Sequence, residues 1–131
     1  MAPGELAIRI VRSLAPLPVR GALPLGDAML DRHTGTGVLA TIYVDRVEWL
    51  ARQAGADSRA LLGRAIAHEL GHLLLATTSH GPVGLMRATW SEDEVRRGRR
   101  RDWTFAPREI AAIHRRAEAR ELEARRTWGT R

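Results

Sequence analysis

The feature that most constrains this chain is His68-Glu69-Leu70-Gly71-His72, set inside a helical pattern of apolar residues. On a helix, side chains four positions apart lie one turn above each other, so His68 and His72 project from the same face. Two imidazoles at that spacing can hold one Zn2+, and Glu69, about 100° around the helix, can reach a water on that ion. The apolar positions Leu61, Leu62, Ala65, Ile66, Leu70, Leu73 and Leu74 cover most of the helix circumference. A helix buried all round carries two imidazoles and a carboxylate at a cost, and a metal ion supplies a reason for them. His80 follows within reach of a returning chain, and Gly84-Leu85-Met86 comes shortly after it.

Over roughly residues 58 to 90 the chain resembles the zincin metallopeptidases, and within them the metzincin-like branch. The resemblance rests on His68-Glu69-x-x-His72, on a third downstream histidine, His80, and on a methionine-containing turn at Met86. It implies a zinc site with His68, His72 and His80 as ligands and Glu69 as the base. It also implies Met86 as an apolar floor beneath the ligands; the plainer reading of Met86 is an ordinary core methionine. Metzincins place a glycine three residues after the second histidine and the third histidine three beyond that. Here those positions are Leu75 and Thr78, and the candidate ligand comes two residues late. Without the glycine the helix can run on through Leu75 or Ala76, turn within Thr77-Thr78-Ser79, and return His80 toward the metal.

A chain of 131 residues is one domain's worth, with enough material for a modest core. It has no cysteine, so a metal must be held by histidine and carboxylate. The net charge of +6 is carried entirely by arginine, a usage that fits a GC-rich genome as well as a functional demand. Charged residues interrupt the first 24 positions, leaving no leader-like apolar run and no membrane span. Such a chain is expected in the cytoplasm by default, and a secreted chain that has lost its leader would read the same way.

Leu6–Arg12 reads as a first strand, Ala15–Pro24 as an extended proline-rich loop, and Asp27–Asp31 as a second strand. Thr34-Gly35-Thr36-Gly37 reads as a hairpin turn into a third strand, Val38–Val44, which is apolar on both faces. Asp45 can cap a short helix that ends at Gly55, and Asp57 or Ser58 can cap the motif helix. Ser91-Glu92-Asp93-Glu94 is a capping-box pattern, Gly98 ends the helix it starts, and Pro107 opens a long helix with Ile110, Ile113 and Ala117 inward. From about Glu118 to Arg131 the apolar stripe fails, and a charged, fraying helical tail is expected. His33 reads as a solvated loop residue and His114 as a structural histidine near an apolar stripe.

The fold expected is a small zincin-like α+β domain, with a short, mostly antiparallel sheet packed on the motif helix and C-terminal helices beyond it. Three neutral ligands and an open fourth position make a catalytic site, at which Glu69 takes a proton from water and passes it to a leaving amine. Tyr43 and Arg87 are the candidates by residue type for the oxyanion partner. The function expected is zinc-dependent hydrolysis of an extended peptide lying beside a sheet edge. Two alternatives stand beside it. Glu92 or Glu94 could serve as third ligand in a gluzincin-like site, or Arg96–Arg101 could bind nucleic acid. A solvated basic turn accounts for the arginines equally well, and few aromatic residues are present to stack on bases.

Overall fold

The central strand explains most of the sheet. The computed structural model describes residues 5–13, 17, 24–31, 33 and 36–129. Three strands, β1 (Ala7–Val11), β2 (Gly26–Asp31) and β3 (Thr36–Tyr43), lie in the order β1-β3-β2. β3 occupies the middle because it can be buried on both faces: Ala40 and Ile42 are fully buried, and Thr41 between them is buried too. β2 pairs with it antiparallel as the expected hairpin. β1 pairs parallel, with Ile10 opposite Ile42, so the sheet is mixed rather than mostly antiparallel. Local patterning sees the hairpin but not a parallel neighbour, whose pairing is set through a long connection. Most of the proline-rich stretch Ala15–Pro24, and the turn residues Thr34 and Gly35, lie outside the described residues.

Two helices follow β3 directly, α1 (Val44–Ala54) and α2 (Ser58–Leu75). They bury Val47, Ala51 and Ala54 of α1 and Leu61 and Ala65 of α2 against Ile42 and Val95, and this cluster is the core. Each large apolar side chain buried there contributes roughly 1.5–3 kcal/mol. The start of α1 differs from the expectation at Asp45. Tyr43 is the N-cap, and Asp45 lies inside the first turn. Its carboxylate instead accepts hydrogen bonds from Ser13 N (2.9 Å) and Ser13 Oγ (2.6 Å), tying the end of β1 to the helix. That partner is remote in sequence, so no local signal could reveal it. Of the two candidate caps of α2, Asp57 is the one that serves, accepting from Arg59 N, and Ser58 is the first helical residue.

The far end of α2 is unusual. The helix stops at Leu75 because Ala76 takes the left-handed conformation (φ 49°), with Ala76 N bonded to Leu73 O and Thr77 N to His72 O. Alanine pays a steric penalty there that glycine does not. Ala76→Gly is therefore expected to stabilise the fold by about 0.5–1 kcal/mol, read as a shift in urea midpoint at unchanged slope. A destabilised variant would mean that the turn is not held in this conformation.

α3 (Glu92–Arg97) carries the full capping box, Glu94 N donating to Ser91 Oγ and Ser91 N to the Glu94 carboxylate. A 3-10 turn (Arg100–Trp103) leads to α4 (Pro107–Gly129), which Pro107 opens at its first position. From Glu118 the chain is helical and mostly exposed as expected, α4 continuing to Gly129, and Arg120 reaches back to donate to Gly37 O (3.0 Å) and Leu73 O (3.4 Å). The inner stripe is weaker than its apolar residues suggested: Ile110 is 43 % exposed, Ala117 is exposed, and none of the helix's described side chains is fully buried. His114 is exposed too, not structural, and His33 is exposed as expected. Among the described residues no helix is long and apolar enough to cross a membrane.

Candidate metal centre

α2 delivers His68 and His72 to one face, as the four-residue spacing requires, and both are buried. Each ring is held from behind by a main-chain carbonyl: His68 Nδ1 lies 2.7 Å from Leu85 O, and His72 Nδ1 lies 2.8 Å from Thr77 O. A carbonyl can only accept, so each Nδ1 carries the proton and each Nε2 presents a lone pair. Burial, the first cause in both cases, holds the rings neutral; it lowers the His68 pKa to about 4, and that of His72 moves the same way. The two Nε2 atoms nevertheless face each other at 3.2 Å. Two buried lone pairs at that distance repel unless something positive lies between them. Two ligands at 2.0–2.1 Å from a tetrahedral Zn2+ would stand roughly 3.3 Å apart, so the spacing fits an ion held by both.

The chain after Ala76 supplies the third arm. Ser79 N bonds to Thr77 Oγ1, and Gly81 N bonds to Met86 O at 2.8 Å, closing a small loop behind His80. The His80 ring stands 4.8 Å from that of His72 and 5.4 Å from that of His68, and the three residues' ligand atoms lie within 4.8 Å of one another. Among the described residues this is the one group of His, Cys, Asp or Glu whose ligand atoms converge in this way. The cluster could bind a metal ion. His80 is exposed where the other two are buried, so the site opens on its side.

Met86 lies beneath α2 and is buried. It meets the helix at Gly71, between the two histidines, where an added Cβ would fall 2.4 Å from Met86 Sδ and 2.8 Å from Phe105 Cε1. The glycine inside the motif is thus the point of close approach that lets Met86 and Phe105 pack against α2.

Glu69 is buried and faces β2, where a Cβ on Gly26 would fall 2.9 Å from Glu69 Cγ and 2.5 Å from Thr41 O. Its pKa is pushed up to about 7, first by burial and then by the carboxylate of Asp27. Asp27 in turn accepts a hydrogen bond from Tyr43 OH at 2.7 Å. In sequence Asp27 reads only as the start of a strand and Gly26 as nothing more than its neighbour; a glycine at the head of a strand is the one local signal of a close backbone approach there.

The other sequence candidates are engaged elsewhere. Tyr43 bonds to Asp27 and lies under the Arg46 guanidinium rather than lining the cleft. Arg87 does line it, but its guanidinium donates to Gly84 O, Glu94 and Asp102 O, joining the Met86 turn to α3. Glu94 is taken up by Ser91 and Arg87, and Glu92 lies on the cleft rim outside the histidine cluster. In the basic run, Arg96 and Arg97 pair with Asp93, while Arg99, Arg100 and Arg101 are exposed.

The histidines and Glu69 lie in a cleft of about 970 Å3, bounded by Pro24–Ala28, by Trp49, Leu50 and Gln53 of α1, and by residues 87–92. Compared with family models, curated proteins and solved structures, the chain matches none of them.

Proposed function

We propose that this protein is a zinc metallopeptidase of zincin type, with His68, His72 and His80 as ligands and Glu69 as general base. The observation that carries the reading is the pair of buried Nε2 atoms 3.2 Å apart, each ring's Nδ1 lying within hydrogen-bond distance of a main-chain carbonyl. Ligand histidines held by carbonyls in this way are oriented and made more basic toward a metal. Three neutral nitrogens with an open side favour Zn2+ with a free coordination position over a closed structural site. Bound there, zinc would supply a Lewis acid that lowers the pKa of a water and polarises a carbonyl.

The chain's own groups supply the rest. The Glu69 side chain, packed close to Gly26 of β2, lines the same cleft as the three rings. It takes a proton from the attacking water and returns it to the leaving amine. Among the described residues β2 pairs only with β3, and its Gly26–Ala28 segment lines the cleft. A peptide can therefore add to that edge through main-chain hydrogen bonds, which favours an extended substrate over a folded one.

The protein purified without added metal is expected to carry one zinc per chain and to cleave peptides until a chelator removes it. His80→Ala should weaken zinc binding by more than the ~10–100-fold typical of losing a supporting hydrogen bond, as read by competition with a chromogenic chelator. Wild-type protein that takes up no zinc, or a His80→Ala variant with undiminished affinity, would overturn the ligand assignment.

A further inference from the structure

Arg64 is a half-buried cation with no acid beside it. Its guanidinium lies over Trp103, Cζ 4.3 Å from the ring centroid, and makes no hydrogen bond or ion pair with any described residue. Burial lowers its pKa, yet a guanidinium keeps its charge and has five N–H donors to place. The ring face attracts the charge without taking up those in-plane donors. Both ends of the basic run meet this side chain. An added Cβ at Gly98 would fall 3.2 Å from Arg64 Nη2, and Trp103 lies under the guanidinium. Between them Arg99, Arg100 and Arg101 are exposed and, among the described residues, unpaired, whereas Arg96 and Arg97 meet Asp93. Asp102 is the one acid within the run. The cluster also adjoins the cleft. Arg64 precedes His68 by four residues on α2, one turn along the face that carries both buried histidines. Trp103 packs on Trp90 with ring centroids 4.7 Å apart, and Trp90, which lines the cleft, packs on His68 at 5.4 Å.

We propose that Arg64, Arg99, Arg100 and Arg101 form a docking strip for an acidic stretch of polypeptide. Carboxylates are what these guanidiniums lack within the fold, and arginine takes them through paired, charge-assisted N–H bonds. Nucleic acid carries the same sign of charge, but the strip offers its bases no free ring. Trp103 is covered by Arg64, and Trp90 is turned edge-on to His68. In the 3-10 turn consecutive side chains also diverge by about 120°, so Arg100 and Arg101 do not line up as the track that a phosphate backbone follows. The choice of polypeptide rests on the metallopeptidase reading, because the strip adjoins the cleft that holds the substrate in that reading.

The test is binding by the metal-free full chain, so that no cleavage intervenes. The probes are a labelled peptide containing a run of glutamates, the matching glutamine peptide, and single-stranded oligothymidylate of equal charge. Fluorescence anisotropy at physiological salt should show saturable binding of the glutamate peptide, none of the glutamine peptide, and weaker binding of the oligothymidylate. Arg100→Gln with Arg101→Gln should weaken the glutamate peptide ~5-fold or more, as the loss of two exposed charge pairs implies. Both positions are exposed, so the core is untouched. Arg115→Gln with Arg116→Gln removes the same charge from exposed sites on α4, next to Ala117, which shares a groove with Leu74 at the other end of α2. That variant should bind within ~2-fold of wild type, since salt screens distant charges. Arg64→Lys keeps the charge and loses the planar fork, and it should weaken binding as well. Equal losses in the two double variants, or an unchanged Arg64→Lys, would mean a diffuse positive field and overturn the proposal. Tighter binding of oligothymidylate than of the glutamate peptide would give the strip to nucleic acid and overturn it too. Either failure leaves the histidine and Glu69 assignments standing, because the readout needs neither. A chain that docks the peptide but takes up no zinc removes the metallopeptidase reading and leaves the docking strip.

Discussion

Glu69→Gln is expected to keep its zinc and to lose at least ~10² in peptide hydrolysis. Glutamine has nearly the shape of glutamate, so it can occupy the same slot between α2 and Gly26 without disturbing the strand. It cannot accept a proton at neutral pH, and general-base removal typically costs 10²–10⁴-fold. The His68 and His72 rings are anchored through Leu85 O and Thr77 O, and His80 follows the closed loop before Met86, none of which involves Glu69. Metal content by elemental analysis should therefore match the wild type while turnover falls. A variant that still hydrolyses peptides would place the base elsewhere, and a variant that loses zinc would make Glu69 a ligand.

The same substitution should change how the metal-free protein responds to pH. Folded, Glu69 keeps its proton to about pH 7, whereas the unfolded chain releases it near 4.5. Between those values the folded state binds more protons, so this contribution is fully present below pH 4.5 and is lost as pH rises through 7. His68 acts in the opposite sense. Its folded pKa is lowered from 6.5 to about 4, so stability falls as pH drops through that window, and His72 adds to the same trend. In the wild type the two trends oppose each other between about pH 4.5 and 6.5, and the stability profile is shallow there. Glu69→Gln removes one of them. Its stability in chelator should climb from acid to pH 6.5 and exceed the wild type by about 2–3 kcal/mol at pH 7.5. That figure is the full displacement at about 1.4 kcal/mol per pH unit, reduced because the carboxylate faces an open cleft. Urea unfolding of both proteins across pH 4–8 measures it, and parallel profiles would refute it.

What could be read from the sequence was whatever is written within a few residues. The His68–His72 spacing, the Asp57 cap, the Ser91–Glu94 capping box and Pro107 at the head of α4 are all local, and all are where the sequence placed them. The turn after Leu75 was legible as a consequence of a missing glycine, although the left-handed residue is Ala76, whose type gives no hint of it. What escaped is non-local. The parallel pairing of β1, the Ser13–Asp45 bonds and the approach of Asp27 to Glu69 each join segments separated by long stretches of chain. α4 differs for another reason: its apolar residues have the right period, but α2 is the one element among the described residues that packs extensively against it, and Ile110 remains exposed.

The carbonyl anchors of His68 and His72 bear on how such a site can change over evolutionary time. Both belong to the main chain, at Leu85 and Thr77, and every amino acid carries that oxygen. No single substitution at either position deletes the hydrogen bond itself; only a changed path of the backbone can. The aim of the two rings is thus inherited as loop length and turn shape rather than as side-chain identity. Lineages could replace nearly everything around the three histidines and keep them pointed at the same spot, while a one-residue deletion between Thr77 and Leu85 would undo what many substitutions cannot.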